Sequence, residues 1–526
     1  MEKTLDFFLS ALEKAQEKAG EKPEGELIAV SDTVSAAASV YETIRNSLEY
    51  DEEHLLRRNA IRRILKRQLG ESDGFVLATV LLRELIWARY LPNKAVPEST
   101  AVTVGSIIRK YDALFAAVAQ SSSEGQRIHD WLLDLLSSEV EYTLTPPIAD
   151  EALAGFAYAK LKERLSWIST VIPEADRDLQ LYIAVHRAVL KSNLATLRFR
   201  TFALFHPEWT RMDANDEAVT RIAANLLAVV SQVERQIRHP GQDALYMLVR
   251  RHAIVFHVIR DVAEDAPRKF EALIAARDTH ELDGRLASAA GVRYGRFRRR
   301  LRNSVVRAVL FLFITKMMLA LVIEAPYERL ILKTSDFRPL IVNILFHPLL
   351  LGTIGMSARL PESANTDAAI REAHAFLGLG EDVGFTFKTR RPWSRGALGI
   401  VFNVVYALMF LFTIGVISSI LHLFHFNWLS IAFFVFFLSL VTFFGLKIRN
   451  SRRELMVIDS KVGFLGTIAD ILFLPMIRAG RWVALRAPRI NVFLFFFDFI
   501  VEAPFKAAIN LVEGWLAFLR EKKEEI

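Results

Sequence analysis

The sequence predicts an all-α membrane protein, with a large helical cytoplasmic N-terminal domain followed by a transmembrane helical bundle and C-terminal amphipathic helices. Three observations predict this fold class. The 526 residues are 52% hydrophobic with a mean hydropathy of +0.25, which is apolar for a soluble chain. Charged residues are concentrated before about residue 302, and long apolar runs follow. The polar and apolar alternation expected of half-buried strands is almost absent from the sequence.

Residues 1–290 predict the helical cytoplasmic domain. They are rich in Ala, Leu, Arg and Glu, which favour helices, and Pro, Asn and Asp separate the runs. The two prolines at 146–147 mark a candidate subdivision near 146. Helices are predicted at 52–70, 73–91, 99–119, 126–139, 150–171, 176–204, 216–238 and 241–263.

The predicted helix at 52–70 combines an apolar stripe with a strongly basic surface. Such a helix can lie on anionic lipid or bind an acidic partner. More often it packs its apolar stripe into its own domain, with its charges at the surface. We expect the second arrangement here.

The clearest membrane signal is the run 398–446, which contains no Asp, Glu, Lys or Arg. The segment HLFHFN at 422–427 divides it into pieces of about 24 and 20 residues, which as helices would be roughly 36 and 30 Å long. Both lengths match a hydrocarbon core of about 30 Å, and neither piece has a polar stripe. We predict a transmembrane hairpin.

A first transmembrane pair is predicted within 304–356. Its first member, 304–323, contains Arg307, which can snorkel to the interface, and Lys316, which lies deeper. The second member, 340–355, is short and contains Pro348, so it is either a kinked span or a re-entrant segment. A cytoplasmic insertion at 357–397 separates this pair from the hairpin.

Basic clusters predict the orientation. They lie at 293–302, inside a polybasic juxtamembrane segment 291–303, and at 388–395 and 447–453. With four spans, all three fall on the same side as both termini, which the positive-inside rule makes cytoplasmic. We therefore expect a multi-pass protein of the cytoplasmic membrane with both termini inside.

The first basic cluster also predicts a lipid contact. The formal net charge of +7 could indicate nucleic acid, but the arginine excess lies beside apolar segments. We therefore expect anionic membrane lipids as partners, and no nucleic acid. The candidate lipid-binding residues are Arg293, Arg296, Arg298, Arg299, Arg300 and Arg302.

The C-terminal segment 447–526 stays apolar but contains isolated acids, which predicts interfacial or membrane-embedded helices and leaves four or six spans open. VIEAPYERL at 322–330 is nearly repeated as IVEAPFKAA at 500–508. Because proline disfavours a continuing helix and suits the start of a new one, each Glu-Ala-Pro predicts a break between an embedded and a surface helix. The candidate intramembrane polar residues are Lys316, Glu324, Asp470, Asp498 and Glu502.

Lys316 is the most informative of these candidates. A cation deep in a span is costly unless it faces a partner or water. A structural contact with a carboxylate is the favoured interpretation, and an ion or proton path is the alternative.

No motif in the sequence supports catalysis. Phosphate-binding loop and nucleophile-elbow motifs are missing, cysteine is absent, and His252 and His257 are not spaced for one metal. We therefore expect no enzyme activity, no metal site and no cofactor. The favoured hypothesis is a non-enzymatic anchor or scaffold that binds a protein partner through its cytoplasmic domain. The alternative is a channel or transporter, formed as a homo-oligomer, that uses polar residues in the bundle.

Overall fold

The computed structural model describes residues 2–21, 23–31, 53–70, 73–118, 122–168, 170–333, 338–357, 361, 363–381, 384–388, 397–458 and 474–483. The predicted all-α fold is confirmed, because the structure is 81% helical. The described residues fall into two compact units, 2–249 and 250–483.

The first unit is a group of short and medium-length helices. Its helices are α1 (Glu2–Gly20), α2 (Glu53–Gln68), α3 (Gly74–Trp87), α4 (Ser99–Ala116), α5 (Ser123–Leu144), α6 (Ile148–Arg164), α7 (Arg177–Ala188), α8 (Leu194–Phe205), α9 (Glu217–Ala224) and α10 (Leu226–Ile237). A strand β1 (Leu165–Ile168) follows α6, and α11 (Gln242–Asp265) begins here and ends in the second unit.

Side-chain caps fix where several of these helices begin. The side chain of Ser122 accepts a hydrogen bond from the backbone N–H of Gly125 at 2.9 Å, and Asn193 accepts one from Thr196 at 2.9 Å. Each cap satisfies a backbone donor that the first turn of a helix leaves unpaired. The unit encloses its own core, in which Leu81, Leu132 and Trp209 are fully buried.

The basic helix α2 packs into this unit, as the sequence predicts. Ile61 and Leu65 are fully buried in the core. Its arginines pair with acids of the same unit at 2.7 Å for Arg57 with Glu141, 2.8 Å for Arg62 with Asp134 and 2.6 Å for Arg67 with Glu84. These basic side chains therefore serve the internal structure of the unit.

The second unit contains the long apolar helices. Its elements are α12 (Pro267–Ala275), α13 (Thr279–Leu319), α14 (Arg338–Met356), α15 (Ser363–Leu377), β2 (Phe385–Lys388), α16 (Ala397–Leu423), α17 (Trp428–Ser451), a 3₁₀ turn (Arg452–Leu455) and α18 (474–483). Among the described residues, the helices long and apolar enough to cross a membrane are Thr279–Ile331, Arg338–Met356, Asn403–Leu423 and Trp428–Leu455. The predicted pair and hairpin are thus helices of membrane length, and α14 continues through Pro348 as one helix.

Close contacts define the directions of these helices. A Cβ built on Gly355, near the end of α14, would lie 2.6 Å from Val305, near the apolar start of α13. A Cβ on Gly445, late in α17, would lie 3.0 Å from Ile354. Small residues at such positions let helix backbones approach closely. Further contacts join Lys316, later in α13, to Asn343, earlier in α14, and His347 of α14 to Phe434, earlier in α17. Thus α14 runs antiparallel to α13 and parallel to α17.

The predicted break at the first Glu-Ala-Pro is wrong. The helix that includes α13 continues to Ile331 through two π-helical segments, Ala320–Glu324 and Tyr327–Ile331. The N–H of Leu332 donates to Tyr327 O at 3.2 Å, five residues back. The wider turn accommodates Pro326, which lacks an N–H and would crowd the carbonyl four residues back in a regular α-helix. The second copy, at 500–508, lies outside the described residues.

Part of the C-terminal segment packs onto the apolar helices. In α18, Met476 is fully buried, with its sulfur 3.3 Å from the Ser439 hydroxyl of α17. Tyr406 of α16 donates to Pro475 O at 3.3 Å. This short helix is therefore packed against the apolar helices, and the choice between interfacial and membrane-embedded helices for 447–526 stays a prediction. Asp470, Asp498 and Glu502 lie outside the described residues.

Candidate functional site

The candidate site is a buried network of polar side chains between α13, α14 and α17. Lys316, in α13, is only 1% exposed. It lies ten residues after Val306, about 15 Å along the helix, which is half the thickness of a hydrocarbon core. Its Nζ donates to Asn343 Oδ1 at 2.6 Å and lies 4.4 Å from the centroid of the Phe437 ring. A buried lysine therefore has both a hydrogen-bond acceptor and an aromatic face.

Asn343 links this cation to a carboxylate. Its Nδ2 donates to Glu324 Oε2 at 2.7 Å, and the Ser430 hydroxyl donates to the same oxygen at 3.3 Å. Glu324 is 1% exposed and Asn343 is fully buried. The sequence predicts that Lys316 contacts a carboxylate. The structure brings the two charges together through the two ends of one amide instead of through a direct ion pair.

A second carboxylate lies one turn further along the same continuous helix. Glu328 is 6% exposed, and its Oε1 accepts from Asn427 Nδ2 at 3.0 Å. Asn427 also caps α17, since its Oδ1 accepts from the Ser430 N–H at 2.8 Å. The turn that begins α17 is thereby tied to both glutamates by neighbouring side chains.

His347 completes the network, and its two ring nitrogens both face backbone carbonyls. Nε2 lies 2.9 Å from Phe434 O of α17, and Nδ1 lies 3.2 Å from Asn343 O. A neutral imidazole has one N–H, so only one of these contacts is a hydrogen bond in that state. The shorter contact, with Nε2 as donor, joins α14 to α17.

The arrangement is suited first to holding helices together. Leaving a charge unpaired among apolar helices is costly, and here one cation and two anions each have hydrogen-bond partners from a different element. The same groups, a lysine, two glutamates and a histidine, can also exchange protons. The network is therefore compatible with both interpretations of Lys316 from the sequence, a structural contact with a carboxylate and an ion or proton path.

The polybasic segment is the second candidate surface. Arg293 is half-buried, and its Nη2 donates to Asp261 Oδ1 at 2.6 Å, so it has a partner within the unit. The other predicted lipid contacts are exposed on α13; they are Arg296, Arg298, Arg299, Arg300 and Arg302. Arg307 also behaves as expected of a snorkelling side chain, because its Nε donates back to Asn303 O at 3.4 Å.

The first unit contains a buried ion pair of a different kind. Lys110 Nζ lies 2.6 Å from Glu139 Oε1 and donates to Trp209 O at 2.8 Å. The hydroxyl of Tyr111 and the Trp209 indole both donate to Glu139 Oε2 at 2.7 Å. Burial, followed by the charge of Glu139, raises the pKa of Tyr111 well above its usual value. This pair joins α4, α5 and the Trp209 turn, and we assign it a structural role.

Histidines and acids do not gather into a metal-binding group of three or more within the described parts of the chain. The residues that the sequence analysis missed are Asn343, His347, Asn427 and Ser430. Asn343 and His347 carry a signal that could have found them, since they are polar residues one turn apart inside an apolar run. Neither Asn427 nor Ser430 has one, because their role depends on where α17 begins.

Comparisons with models of protein families, with curated proteins and with solved structures give no match. The class of protein therefore follows from the fold and the network alone: an all-α chain with a compact helical N-terminal unit and, within its described residues, four helices of membrane length.

Proposed function

We propose that this chain is a non-enzymatic membrane anchor or scaffold, which holds a protein partner at the membrane through its N-terminal helical unit. The observation that carries the proposal is the closed polar network. Lys316, Asn343 and Glu324 bind one another across helices and are buried, which suits a bundle built to keep a fixed arrangement. An anchor needs such rigidity, and it also needs a unit with its own core to present to a partner.

The proposed location is the cytoplasmic membrane, with both termini inside. Support comes from the antiparallel arrangement of α13 and α14 and from the basic clusters beside the apolar helices. In this orientation the N-terminal unit faces the cytoplasm, where a soluble partner can reach it.

Cross-linking tests the anchor proposal. The full chain would be purified from membranes in mild detergent after treatment with a lysine-reactive reagent, and cross-linked partners identified by mass spectrometry. We expect one reproducible partner, linked to exposed lysines of the first unit such as Lys94 and Lys162. Linkage only to Lys447, beside the apolar helices, or repeated recovery of no partner, would contradict the proposal.

Transport is the second candidate, and the polar network also supports it. Transport helices often combine polar groups near the membrane midplane with irregular backbone; here the buried Lys316 is followed four residues later by a π-helical segment of a continuous helix. Ion and proton flux would be measured in liposomes for wild type, Lys316→Leu and Arg307→Leu. The Arg307 variant is the matched control because it removes a cation from an exposed position of the same helix. Flux lost only in Lys316→Leu would establish transport, and no flux in any protein over a range of ions and voltages would reject it.

A further inference from the structure

A buried amide side chain, that of Asn365, joins three segments at one end of the bundle. Asn365, in α15, is 5% exposed, and its Nδ2 donates to the Tyr294 hydroxyl at 3.0 Å and to Leu455 O at 2.9 Å. Its Oδ1 accepts from the Val457 N–H at 2.9 Å. The segment just before the apolar part of α13 and the segment just after α17 therefore meet at one point.

This junction brings two basic clusters to the same end of the bundle. Tyr294 precedes Arg296 by two residues, and Leu455 follows Arg453 by two residues. The first cluster consists of Arg296, Arg298, Arg299, Arg300 and Arg302, and the second consists of Lys447, Arg449, Arg452 and Arg453. The sequence predicts both clusters on the cytoplasmic side, but they are about 150 residues apart in the chain, so it does not predict that they lie beside one another.

Among the described residues, the acids in or beside these stretches of chain are Asp261, Asp367 and Glu454, against nine basic residues, and Asp367 is two residues after Asn365. Asp261 is occupied by Arg293, and Glu454 lies within the second cluster. The surface therefore carries a large excess of positive charge. Its complement is a surface with closely spaced negative charges.

The neighbouring apolar surface indicates what that complement is. Four residues after Arg302, about 6 Å along the helix, the lipid-type surface begins with Val306, which is 59% exposed, and continues with Leu310 and Phe311 at 56% and 54%. On α17, Phe444 is 43% exposed just before Lys447. Positive charge directly above exposed apolar side chains matches a phospholipid, which has an anionic head and apolar chains, better than a soluble polyanion.

We infer that the two basic clusters form one binding surface for anionic phospholipid headgroups, held in register by the Asn365 junction. This inference rests on the proposed membrane anchoring and on the lipid contact predicted for the first cluster, and it adds the second cluster and the junction that joins the two. Arg293 is outside the surface, since Asp261 engages it. The bound headgroups would fix the depth and tilt of α13 and α17 together.

The test uses the full chain in nanodiscs of phosphatidylcholine containing a minor fraction of phosphatidylglycerol. After extraction into mild detergent, the phosphatidylglycerol retained per protein would be measured by lipid mass spectrometry. We expect strong enrichment over the nanodisc composition for wild type. In the double variant Arg299→Gln and Arg453→Gln, the enrichment of phosphatidylglycerol should be about tenfold lower than in wild type. Each basic residue near a membrane surface adds to the attraction for anionic lipid.

The matched control is Lys333→Gln with Arg338→Gln, which removes the same charge at the opposite end of α13 and α14. We expect its enrichment to equal that of wild type. Equal retention in both double variants, or equal loss in both, would overturn the inference. Inorganic phosphate that displaces the retained lipid at low concentration would also overturn it, because the surface would then be a site for free anions. Any of these outcomes with membrane insertion and partner cross-linking intact would leave the anchor proposal standing.

Discussion

Replacement of Asn343 by leucine would remove the link at the centre of the polar network. The leucine fills a similar volume but neither accepts from Lys316 nor donates to Glu324, which are now joined through hydrogen bonds of 2.6 and 2.7 Å. Glu324 would keep the longer bond from Ser430, at 3.3 Å, and Lys316 would keep the Phe437 ring. Two buried charges would thus lose their strongest partner at once.

The expected loss in the free energy of unfolding is about 3 kcal/mol. A hydrogen bond to a charged group contributes roughly 1.5–3 kcal/mol, and breaking a buried ionic network costs about 3–5 kcal/mol because it leaves charges uncompensated. Hydrogen bonds between membrane helices average less, about 0.6 kcal/mol, which places the estimate at the lower end of that range.

Equilibrium unfolding of the purified chain in detergent would measure this loss, with circular dichroism as the probe. Asn303→Leu is the control, since it makes the same substitution at an exposed position of α13. A triple variant, with Lys316→Met, Asn343→Leu and Glu324→Leu, should regain most of the lost stability, because apolar residues can replace a buried ionic network at little cost.

The reasoning would be refuted if Asn343→Leu unfolded within about 0.5 kcal/mol of wild type, the range typical of surface substitutions. It would also be refuted if the triple variant were less stable than Asn343→Leu alone. The first result would mean that the network contributes nothing, and the second that the charges stabilise the bundle without the bridge.

Two further predictions concern the first unit. Glu139→Gln should lower its free energy of unfolding by about 3–5 kcal/mol by leaving Lys110 buried without its counter-ion, as thermal unfolding followed by circular dichroism would show. Burial lowers the pKa of His186 to about 4 from 6.5, so the unfolded state takes up its proton at a higher pH than the folded state. Stability should therefore be full above pH 6.5 and fall by about 3 kcal/mol as the pH drops through 4, and His186→Leu should remove that part of the pH dependence.

Much of the fold is predictable because the composition and the spacing of apolar residues indicate which segments are helical and which are long enough to cross a membrane. The run at 398–446 has no charged residue, so its two helices follow from length alone. The predicted helix break at Pro326 was wrong because it was inferred from the local preference of proline alone, without the contacts that the helix makes with its neighbours. A π-helical turn lets the chain keep its axis past a proline, and the contacts of Glu324 and Glu328 with α17 hold that turn in place.

The candidate site was predictable only in part. Lys316 and Glu324 stand out as charges at apolar positions, so the sequence predicts that they need partners. Which partner each has depends on helix register and direction, and no spacing rule supplies these for helices far apart in the chain. Asn365 shows this most clearly, since its partners Tyr294 and Leu455 are about 70 and 90 residues away.

The most direct test of the account is the membrane topology. The chain contains no cysteine, so single cysteines can be introduced and labelled in intact cells with a maleimide that does not cross the membrane. We predict that Phe424→Cys, at the exposed turn between α16 and α17, reacts in intact cells. Ser10→Cys, in the first unit, and Lys447→Cys, at the second basic cluster, should react only after permeabilisation. Labelling of Phe424→Cys and Ser10→Cys from the same side of the membrane would contradict an anchor that holds its helical unit at the cytoplasmic face.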